Sequence, residues 1–167
     1  YRCHKYCGGC GSVLSFSETE RAMVCPDCGL TMYPQISPAV IVGIVDGDRI
    51  LLTKYATNHS TYRNYALVAG YTEIGETLEQ TVSREVMEEV GLKVKDITYY
   101  KNQPWGLSSS LLVGFFAKVD GSSEICRDED ELSVAQWMLR EDIEIGDDVI
   151  SLTREMMQTF KNNEIDW

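Results

Sequence analysis

The 167-residue sequence contains no apolar run that approaches the roughly 18 residues needed to cross a membrane as a helix. No secretory signal pattern opens it, and it shows no internal repeat or low-complexity segment. These absences disfavour a membrane protein and an exported one. We therefore expect a globular protein of the cytoplasm, with no membrane partner.

Basic residues are also scarce. The chain has 15 Lys and Arg residues against 26 Asp and Glu residues, a formal net charge of −11. A surface with this balance repels nucleic acid overall. It accommodates a phosphate-bearing substrate only where cations lie between the phosphates and the carboxylates, so any polyanionic substrate implies bound metal.

Cysteine, in contrast, is concentrated at one end, with five of the six cysteines in the first 28 residues. Two CxxCG turns are present, and their cysteines are Cys7, Cys10, Cys25 and Cys28. Fourteen residues separate the pairs, just under the roughly 15–20 typical of zinc ribbons. Four thiolates give a closed tetrahedral site, which predicts structural zinc, with two disulfides or metal-free thiols as the alternative.

Near these turns, Cys3 and His4 are either extra zinc ligands or surface residues, and we favour surface residues. Cys126 stands alone in the sequence and is predicted to be a small buried or half-buried residue. Residues 1–33 carry three basic and three acidic side chains, so they form no basic patch. A scaffolding role for this segment is therefore favoured over nucleic-acid binding.

Residues 1–33 are rich in Cys and Gly and have almost no amphipathic periodicity, whereas the rest of the chain has apolar runs of strand and helix length. We therefore predict domains at 1–33 and 34–167. Apolar runs and turn signals predict strands at 39–45, 49–54, 65–69, 94–103, 111–119 and 134–139. Helices are predicted at 77–90 and 147–162, the second with Ile150, Met157 and Phe160 toward a core. Strands and helices mix, which favours a layered α/β fold.

The first predicted helix carries clustered carboxylates. Glu85, Glu88 and Glu89 share one face by their spacing of three and four residues, while Val82 and Val86 can face a core. Like charges on one face destabilise a helix unless a cation joins them, and hard divalent ions prefer such oxygen ligands. A solvated acidic face is the alternative interpretation.

The surrounding residues favour the metal site. Gly70, Glu76, Arg84, Glu85, Val86, Glu88, Glu89, Gly91 and Leu92 match every defining position of the Nudix box. The chain therefore resembles the Nudix hydrolases. The resemblance implies an α/β/α sandwich with a mixed sheet, Mg²⁺ or Mn²⁺ held by Glu85, Glu88 and Glu89, and Arg84 orienting Glu85 or pairing with Glu76. The implied reaction is attack of water on the phosphorus of a nucleoside diphosphate derivative.

A second sequence element indicates which Nudix subfamily the chain resembles. Residues 103–110 begin Gln-Pro-Trp and end in Ser, after a four-cysteine ribbon and a Tyr33-Pro34 pair, and this order is similar to that of the NADH pyrophosphatases. Gly-Leu-Ser stands at 106–108 where that family usually has Pro-Phe-Pro. The implied substrate-binding residues are Glu20, Tyr33, Gln103, Pro104, Trp105, Gly106, Leu107, Ser108, Ser109, Ser110 and Thr153. Trp105 can also be a core residue beside a turn.

The same resemblance completes the metal site and suggests partners. The carbonyl of Ala69 and the carboxylate of Glu131 would be further metal ligands, although Asp128, Glu129 and Asp130 compete with Glu131 for that role. Ribbon residues that touch substrate would imply a homodimer. The expected activity is hydrolysis of NADH or NAD⁺ to nicotinamide mononucleotide and AMP, or of NAD caps on RNA. Alternatives are a pyrophosphatase for ADP-ribose or another nucleotide, and a Nudix-like ligand sensor whose ribbon binds nucleic acid.

Overall fold

The computed structural model describes residues 4–56, 64–145 and 151–167. The chain divides into two compact units, Tyr1–Ile36 and Ser37–Trp167. The division falls three residues after the predicted boundary. The predicted helix residues 147–150, including Ile150, and the residue Cys3 lie outside the described residues.

The first unit is a small antiparallel sheet. Its strands are β1 (Ser15–Phe16), β2 (Met23–Val24) and β3 (Thr31–Met32), in the order β1-β2-β3. Its buried core contains two of the CxxC cysteines, Cys7 and Cys25, together with Leu14 and Met23. Such a core is too small to stabilise a fold without a further cross-link or metal.

The second unit is built on a six-stranded mixed sheet. The strands are β4 (Ser37–Asp46), β5 (Arg49–Tyr55), β6 (Val68–Tyr71), β7 (Val94–Trp105), β8 (Ser110–Val119) and β9 (Leu132–Leu139). Their order is β7-β8-β4-β5-β9, with β6 paired to β4. Strands β4 and β8 are parallel and the other pairs are antiparallel. The predicted mixed sheet is thereby confirmed.

Strand β4 lies at the centre of this sheet because both of its faces are covered. Its residues from Ala39 to Val45 are all buried, as expected for a continuous apolar run. One edge of β4 pairs with β8 along its length. The other edge is shared, with β6 opposite residues 39–42 and β5 opposite residues 45 and 46.

Two helices cover opposite faces of the sheet. Helix α1 (Leu78–Val90) packs Val82, Val86 and Val90 against one cluster of strand side chains, and all three valines are fully buried. Helix α2 (Leu152–Lys161) packs Met156, Phe160 and their neighbours against the other cluster. A 3₁₀ turn spans Arg140–Asp142. Among the described residues, no helix has the length and apolarity needed to cross a membrane.

Two local predictions were wrong. The strand predicted at 65–69 is observed at Val68–Tyr71, because Ala66 makes an isolated bridge to Thr53 and continuous pairing with β4 begins at Val68. Cys126 is exposed. It also packs against the end of the helix, since a Cβ added to Gly91 would lie only 2.8 Å from the Cβ of Cys126. Position 91, which follows the helix, therefore favours glycine for two reasons: there is no room for a side chain, and its backbone is left-handed with φ +68°.

Candidate active site

Helix α1 is fixed at both ends by its own sequence. Thr77 accepts a hydrogen bond from the backbone N–H of Gln80, and the Gln80 side chain accepts one from Thr77, which forms a capping box. Gly91 ends the helix in the left-handed conformation. With the valine stripe turned into the core, the remaining faces carry the carboxylates of Glu85, Glu88 and Glu89.

Arg84 connects several of these acidic groups. Its Nε and Nη2 donate to the two oxygens of Glu76 at 2.6 and 3.0 Å. Its Nη1 donates to Glu85 Oε1 at 2.8 Å and to Glu88 Oε2 at 3.0 Å, and Nη2 also reaches the carbonyl of Tyr71 at 2.9 Å. These bonds raise the pKa of Arg84 still further, so the guanidinium remains charged. Arg84 thus contacts Glu85 and Glu76 at the same time.

Glu76 anchors the guanidinium from the loop before α1. Besides Arg84, its Oε2 accepts hydrogen bonds from the backbone N–H of Glu73 at 3.0 Å and from Thr81 Oγ1 at 2.9 Å. The hydrogen bonds from Arg84, followed by the one from Glu73, lower the pKa of Glu76 to about 2. Glu76 is thus a fixed anion that orients Arg84.

Glu89 is the most buried carboxylate of the set, only 3% exposed. It accepts a hydrogen bond from the backbone of Ala69, while its Oε2 is a buried atom with no hydrogen-bond partner among the described residues. Burial, and next the carboxylates of Glu85 and Glu131, raise the pKa of Glu89 to about 8. Burial also raises the pKa of Glu85, against the lowering effect of Arg84.

Gly70 provides the space for Glu85. A Cβ placed on Gly70 would lie 1.9–2.2 Å from the atoms of the Glu85 carboxylate, so any side chain here would displace it. On β6, Ala69 turns its N–H toward Glu89, and in a strand the N–H and C=O of one residue point to the same side. The carbonyl of Ala69 therefore also faces the acidic set.

Two acidic residues of the 128–131 segment, Asp128 and Glu131, act electrostatically on the glutamates of α1. The charge of Glu131 raises the pKa of half-buried Glu85 and of buried Glu89, and the charge of Asp128 raises the pKa of Glu89. Glu129 instead pairs with Arg127 at 3.3 Å. Glu131 immediately precedes β9, and its carbonyl accepts a hydrogen bond from Ala56.

The donor set fits a hard divalent cation. It offers carboxylate oxygens and a carbonyl, and within the described part of the chain the buried Oε2 of Glu89 has no hydrogen-bond partner. A cation would relieve the burial and the carboxylate repulsion that raise the pKa of Glu89. In the described part of the chain these glutamates do not converge as closely as the four cysteines do, because Arg84 bonds to Glu85 and Glu88 while Glu89 bonds to Ala69.

A cleft of about 370 Å³ adjoins this set on the α2 side of the sheet. Its walls include Trp105 and Ser108 from the β7–β8 hairpin and Thr153 from the start of α2, three of the predicted substrate-binding residues. Ala69 and Gly70 also line it. The cleft and the acidic set therefore share two backbone positions of β6.

The hairpin of β7 and β8 carries the remaining predicted residues of this unit. Trp105 pairs with Ser110, and Gly106 to Ser109 form the connecting turn, with Ser109 at φ +57°. Buried Ser110 meets Ser108 Oγ at 2.8 Å and the Tyr71 hydroxyl at 3.2 Å. Leu107 is almost fully exposed and Pro104 is exposed on β7. Gln103 Oε1 accepts a hydrogen bond from the backbone N–H of Leu152 at 2.9 Å.

In the first unit, two predicted substrate contacts bind each other. The Tyr33 hydroxyl donates to Glu20 Oε2 at 2.7 Å, and this bond raises the pKa of Tyr33. Both side chains lie within Tyr1–Ile36.

The four cysteines form a compact ligand set. All of their Sγ atoms lie within 4.8 Å of one another, and the closest cross pairs, Cys7–Cys28 and Cys10–Cys25, are 3.5 and 3.4 Å apart. A disulfide needs about 2.05 Å, whereas thiolates about 2.3 Å from a tetrahedral zinc lie roughly 3.8 Å apart. The geometry suits structural zinc, and all four are free thiols.

Sequence reasoning missed two contributors to this site. The carbonyl of Tyr71 accepts a hydrogen bond from Arg84, and its hydroxyl bonds to Ser110 Oγ. The hydroxyl of Thr81 donates to Glu76. Tyr71 follows Gly70 directly, so its position next to the box was a usable signal. The bond of Gln103 to α2 had no such signal, since 49 residues separate the partners.

Comparison with known families and proteins agrees with these features. Residues 35–160 match the NUDIX domain, and residues 2–33 match the NADH pyrophosphatase zinc ribbon domain. Two curated relatives, each named NAD-capped RNA hydrolase NudC, come from Escherichia coli O1:K1 / APEC and from Escherichia coli strain SMS-3-5 / SECEC. Each is 48% identical over 145 residues, which is 86% of this chain and 54% of the relative. The chain therefore spans about half the length of the curated relatives it matches.

Solved structures show the same fold. A Nudix hydrolase from Nitrosomonas europaea superposes with a TM-score of 0.79 at 23% identity, covering 95% of this chain and 91% of that one. A UDP-X diphosphatase superposes with a TM-score of 0.58 at 18% identity, covering 80% and 66%. The box residues gathered around Arg84, the family match over most of the chain and the four-cysteine ribbon lead to one conclusion: this chain belongs to the Nudix hydrolase family and carries the zinc ribbon of the NADH pyrophosphatases.

Proposed function

We propose that this protein hydrolyses the diphosphate linkage of NADH and NAD⁺, releasing nicotinamide mononucleotide and AMP, with Mg²⁺ or Mn²⁺ at the acidic set. One observation carries the proposal. Ala69 and Gly70 border both the cleft that contains Trp105 and the carboxylates of Glu85 and Glu89. A dinucleotide with one ring system in the cleft would place its diphosphate beside these acids.

The proposed metal ligands are Glu85, Glu88, Glu89, Glu131 and the carbonyl of Ala69. Bound divalent cations would polarise the phosphoryl oxygens and lower the pKa of an attacking water. Two features of Glu89 support the assignment: one of its buried oxygens has no hydrogen-bond partner in the part of the chain that the structure describes, and its pKa is raised by burial and by neighbouring carboxylates.

Arg84 and Gly70 are proposed to position this set. Arg84 holds Glu85 and Glu88 through one nitrogen, and Glu76 fixes the opposite edge of the guanidinium. Because the planar guanidinium of Arg84 donates two hydrogen bonds to Glu76, a lysine could not reproduce these contacts. Gly70 keeps the backbone close enough for Glu85 to lie against it.

In the cleft, Trp105 is proposed to stack on a ring of the substrate, since an aromatic face supports a planar group. Ser108, Ser110 and Thr153 line or border the same space and offer hydroxyls. Glu20 and Tyr33 of the ribbon remain proposed substrate contacts, and for them we propose a homodimer. We also propose that the ribbon binds zinc in a reducing compartment, the cytoplasm.

NAD-capped RNA is a second candidate substrate, because the relatives at 48% identity are named for that activity. The linkage cut would be the same. The formal net charge of −11 opposes tight binding of the RNA itself, so we rank free dinucleotide first. ADP-ribose hydrolysis would use the same acids, and the Gly-Leu-Ser turn at 106–108 is where specificity would differ.

The proposal is tested by a product assay. The 167-residue chain is incubated with Mg²⁺ or Mn²⁺ and, in parallel, NADH, NAD⁺, ADP-ribose and diadenosine polyphosphates, and products are separated by chromatography. We expect Glu85→Gln to reduce turnover of every substrate at least about 100-fold. Glu79→Gln, an exposed change on the same helix, is the matched control and should retain activity.

The outcomes separate the candidates. Unchanged turnover in Glu85→Gln would contradict the catalytic assignment. Cleavage of ADP-ribose with NADH left intact would replace the dinucleotide proposal by the ADP-ribose one. Salt-sensitive retention of DNA without turnover of any nucleotide would favour the ligand-sensor alternative. Light scattering after size-exclusion chromatography tests the dimer.

A further inference from the structure

Gln103 lies where two walls of the cleft approach each other. On β7, Gln103 and Trp105 are half-buried while Pro104 between them is exposed, so the first two share one face of the strand. Trp105 lines one wall, and Ser151, Leu152 and Thr153 at the start of α2 line the other. The hydrogen bond from the Leu152 N–H to Gln103 Oε1, 2.9 Å long, joins these walls directly.

The Leu152 N–H needs such a partner. It is the first N–H within the helix, and these first groups have no acceptor inside their own helix. Leu152 is only 1% exposed, so water is excluded from the residue as a whole. The capping side chain of Ser151 is used by Arg154, whose N–H it accepts at 3.4 Å. An acceptor from outside the helix is therefore required, and Gln103 provides it.

Other contacts hold the later turns of α2 to the same strand. The hydroxyl of Tyr100 donates to Glu155 Oε1 at 3.1 Å and lies 2.9 Å from Thr159 Oγ1. Lys101 pairs with Glu155 at 2.7 Å. Removal of the Gln103 acceptor would thus leave the body of α2 in place and release its first turn, which is the part that lines the cleft.

We propose that Gln103 is a positioning residue for the substrate cleft: it acts through α2, by fixing the first turn of that helix relative to Trp105, and not by touching the substrate. This inference rests on the proposed dinucleotide hydrolysis and refines the role that family resemblance gives to residue 103. Glu85, Glu88 and Glu89 stand on α1, which packs on the opposite face of the sheet from α2, so we expect loss of this bond to weaken substrate binding more than the chemical step.

The test uses the 167-residue chain and three variants of it. Gln103→Leu removes the acceptor at similar volume. Gln103→Glu retains an acceptor oxygen and places a negative charge at a helix N-terminus, where it is favourable. Asn102→Ala is the matched control, because the Asn102 side chain donates a hydrogen bond to the Tyr99 hydroxyl on its own strand. For each variant, amide exchange of Leu152 is followed by NMR without substrate, and kcat and KM are measured with NADH.

In Gln103→Leu we expect Leu152 exchange to become about tenfold faster and KM to rise about tenfold, with kcat within about twofold, since lost N-terminal hydrogen bonds typically cost this much. Gln103→Glu should restore slow exchange, and Asn102→Ala should match the parent in both readouts. Higher KM with unchanged Leu152 exchange would overturn the proposal, because Gln103 would then contact substrate itself. Faster exchange with unchanged KM, or a fall in kcat alone, would overturn it as well.

The two levels of the proposal fail in different ways. If the parent chain turned over no NADH, the proposed function would fail, while the exchange comparison would still decide whether Gln103 holds the first turn of α2. If NADH were cleaved and Leu152 exchanged equally fast in all variants, the function would stand and the positioning role would be rejected.

Discussion

The buried carboxylate of Glu89 predicts that its neutral mimic, Glu89→Gln, is more stable than the parent chain when no divalent cation is present. Glutamine keeps an acceptor for the Ala69 backbone and removes the charge. Burial and neighbouring carboxylates raise the pKa of Glu89 from an ordinary 4.5 to about 8. A tenfold change in proton affinity is worth about 1.4 kcal/mol, so at pH 7 the free-energy cost of the charge reaches about 3 kcal/mol as an upper value.

The sign of the pH dependence follows from the raised pKa. An acid whose pKa is higher in the folded state binds its proton more tightly there. Stability linked to Glu89 is therefore complete below pH 4.5, declines as the pH rises, and is fully lost above about 8. The cation-free parent should lose stability over this window, and Glu89→Gln should lose much less.

Urea unfolding at pH 5, 7 and 8.5 in magnesium-free buffer, with the ribbon zinc retained, measures this effect. At pH 7 we expect a gain of about 1–3 kcal/mol for Glu89→Gln, and none for Glu79→Gln. Added Mn²⁺ should stabilise the parent and not Glu89→Gln, because a ligand stabilises the state that binds it. A cation-free Glu89→Gln protein less stable than the parent at pH 7 would refute the argument.

Three other changes have defined outcomes. Gly70→Ala should lower kcat at least about 100-fold with little change in secondary structure by circular dichroism, because its Cβ would displace the Glu85 carboxylate. Arg84→Lys should reduce kcat about 10- to 100-fold, since one ammonium cannot satisfy both Glu76 and Glu85; equal activity would contradict the positioning role. Metal analysis should find one zinc per chain, and its removal by a strong chelator should unfold the ribbon, seen as loss of its NMR signals, while those of the 37–167 unit persist.

Local sequence signals predicted α1 almost to the residue. The capping box of Thr77 and Gln80, the valine stripe and Gly91 all specify the same helix, so propensity, pattern and capping agree. The box also indicated that Arg84 would lie beside Glu85 or Glu76, and it contacts both. Strand β6 was misplaced because its extent is set by pairing with β4, which a local pattern does not contain.

The cleft was only partly predictable. Its hairpin residues were identified from one short element, yet their contacts depend on distant partners. Gln103 bonds to Leu152, and Ser110 meets Tyr71, across separations of 49 and 39 residues. Such bonds depend on how α2 and β6 pack on the sheet, so spacing along the chain could not reveal them. The exposure of Cys126 is a similar case, since composition alone suggested burial.

The short strand β6 explains how both halves of the candidate site come together. Among the described strands, β6 pairs with β4 alone, so the N–H and C=O groups on its second edge form no hydrogen bonds to a neighbouring strand. Side chains of α1 take them instead: Glu89 accepts from the backbone of Ala69, and Arg84 donates to the carbonyl of Tyr71. A longer neighbouring strand here would remove those bonds and exclude the carboxylates. The incomplete edge is therefore the structural condition for placing an acidic set beside a substrate cleft.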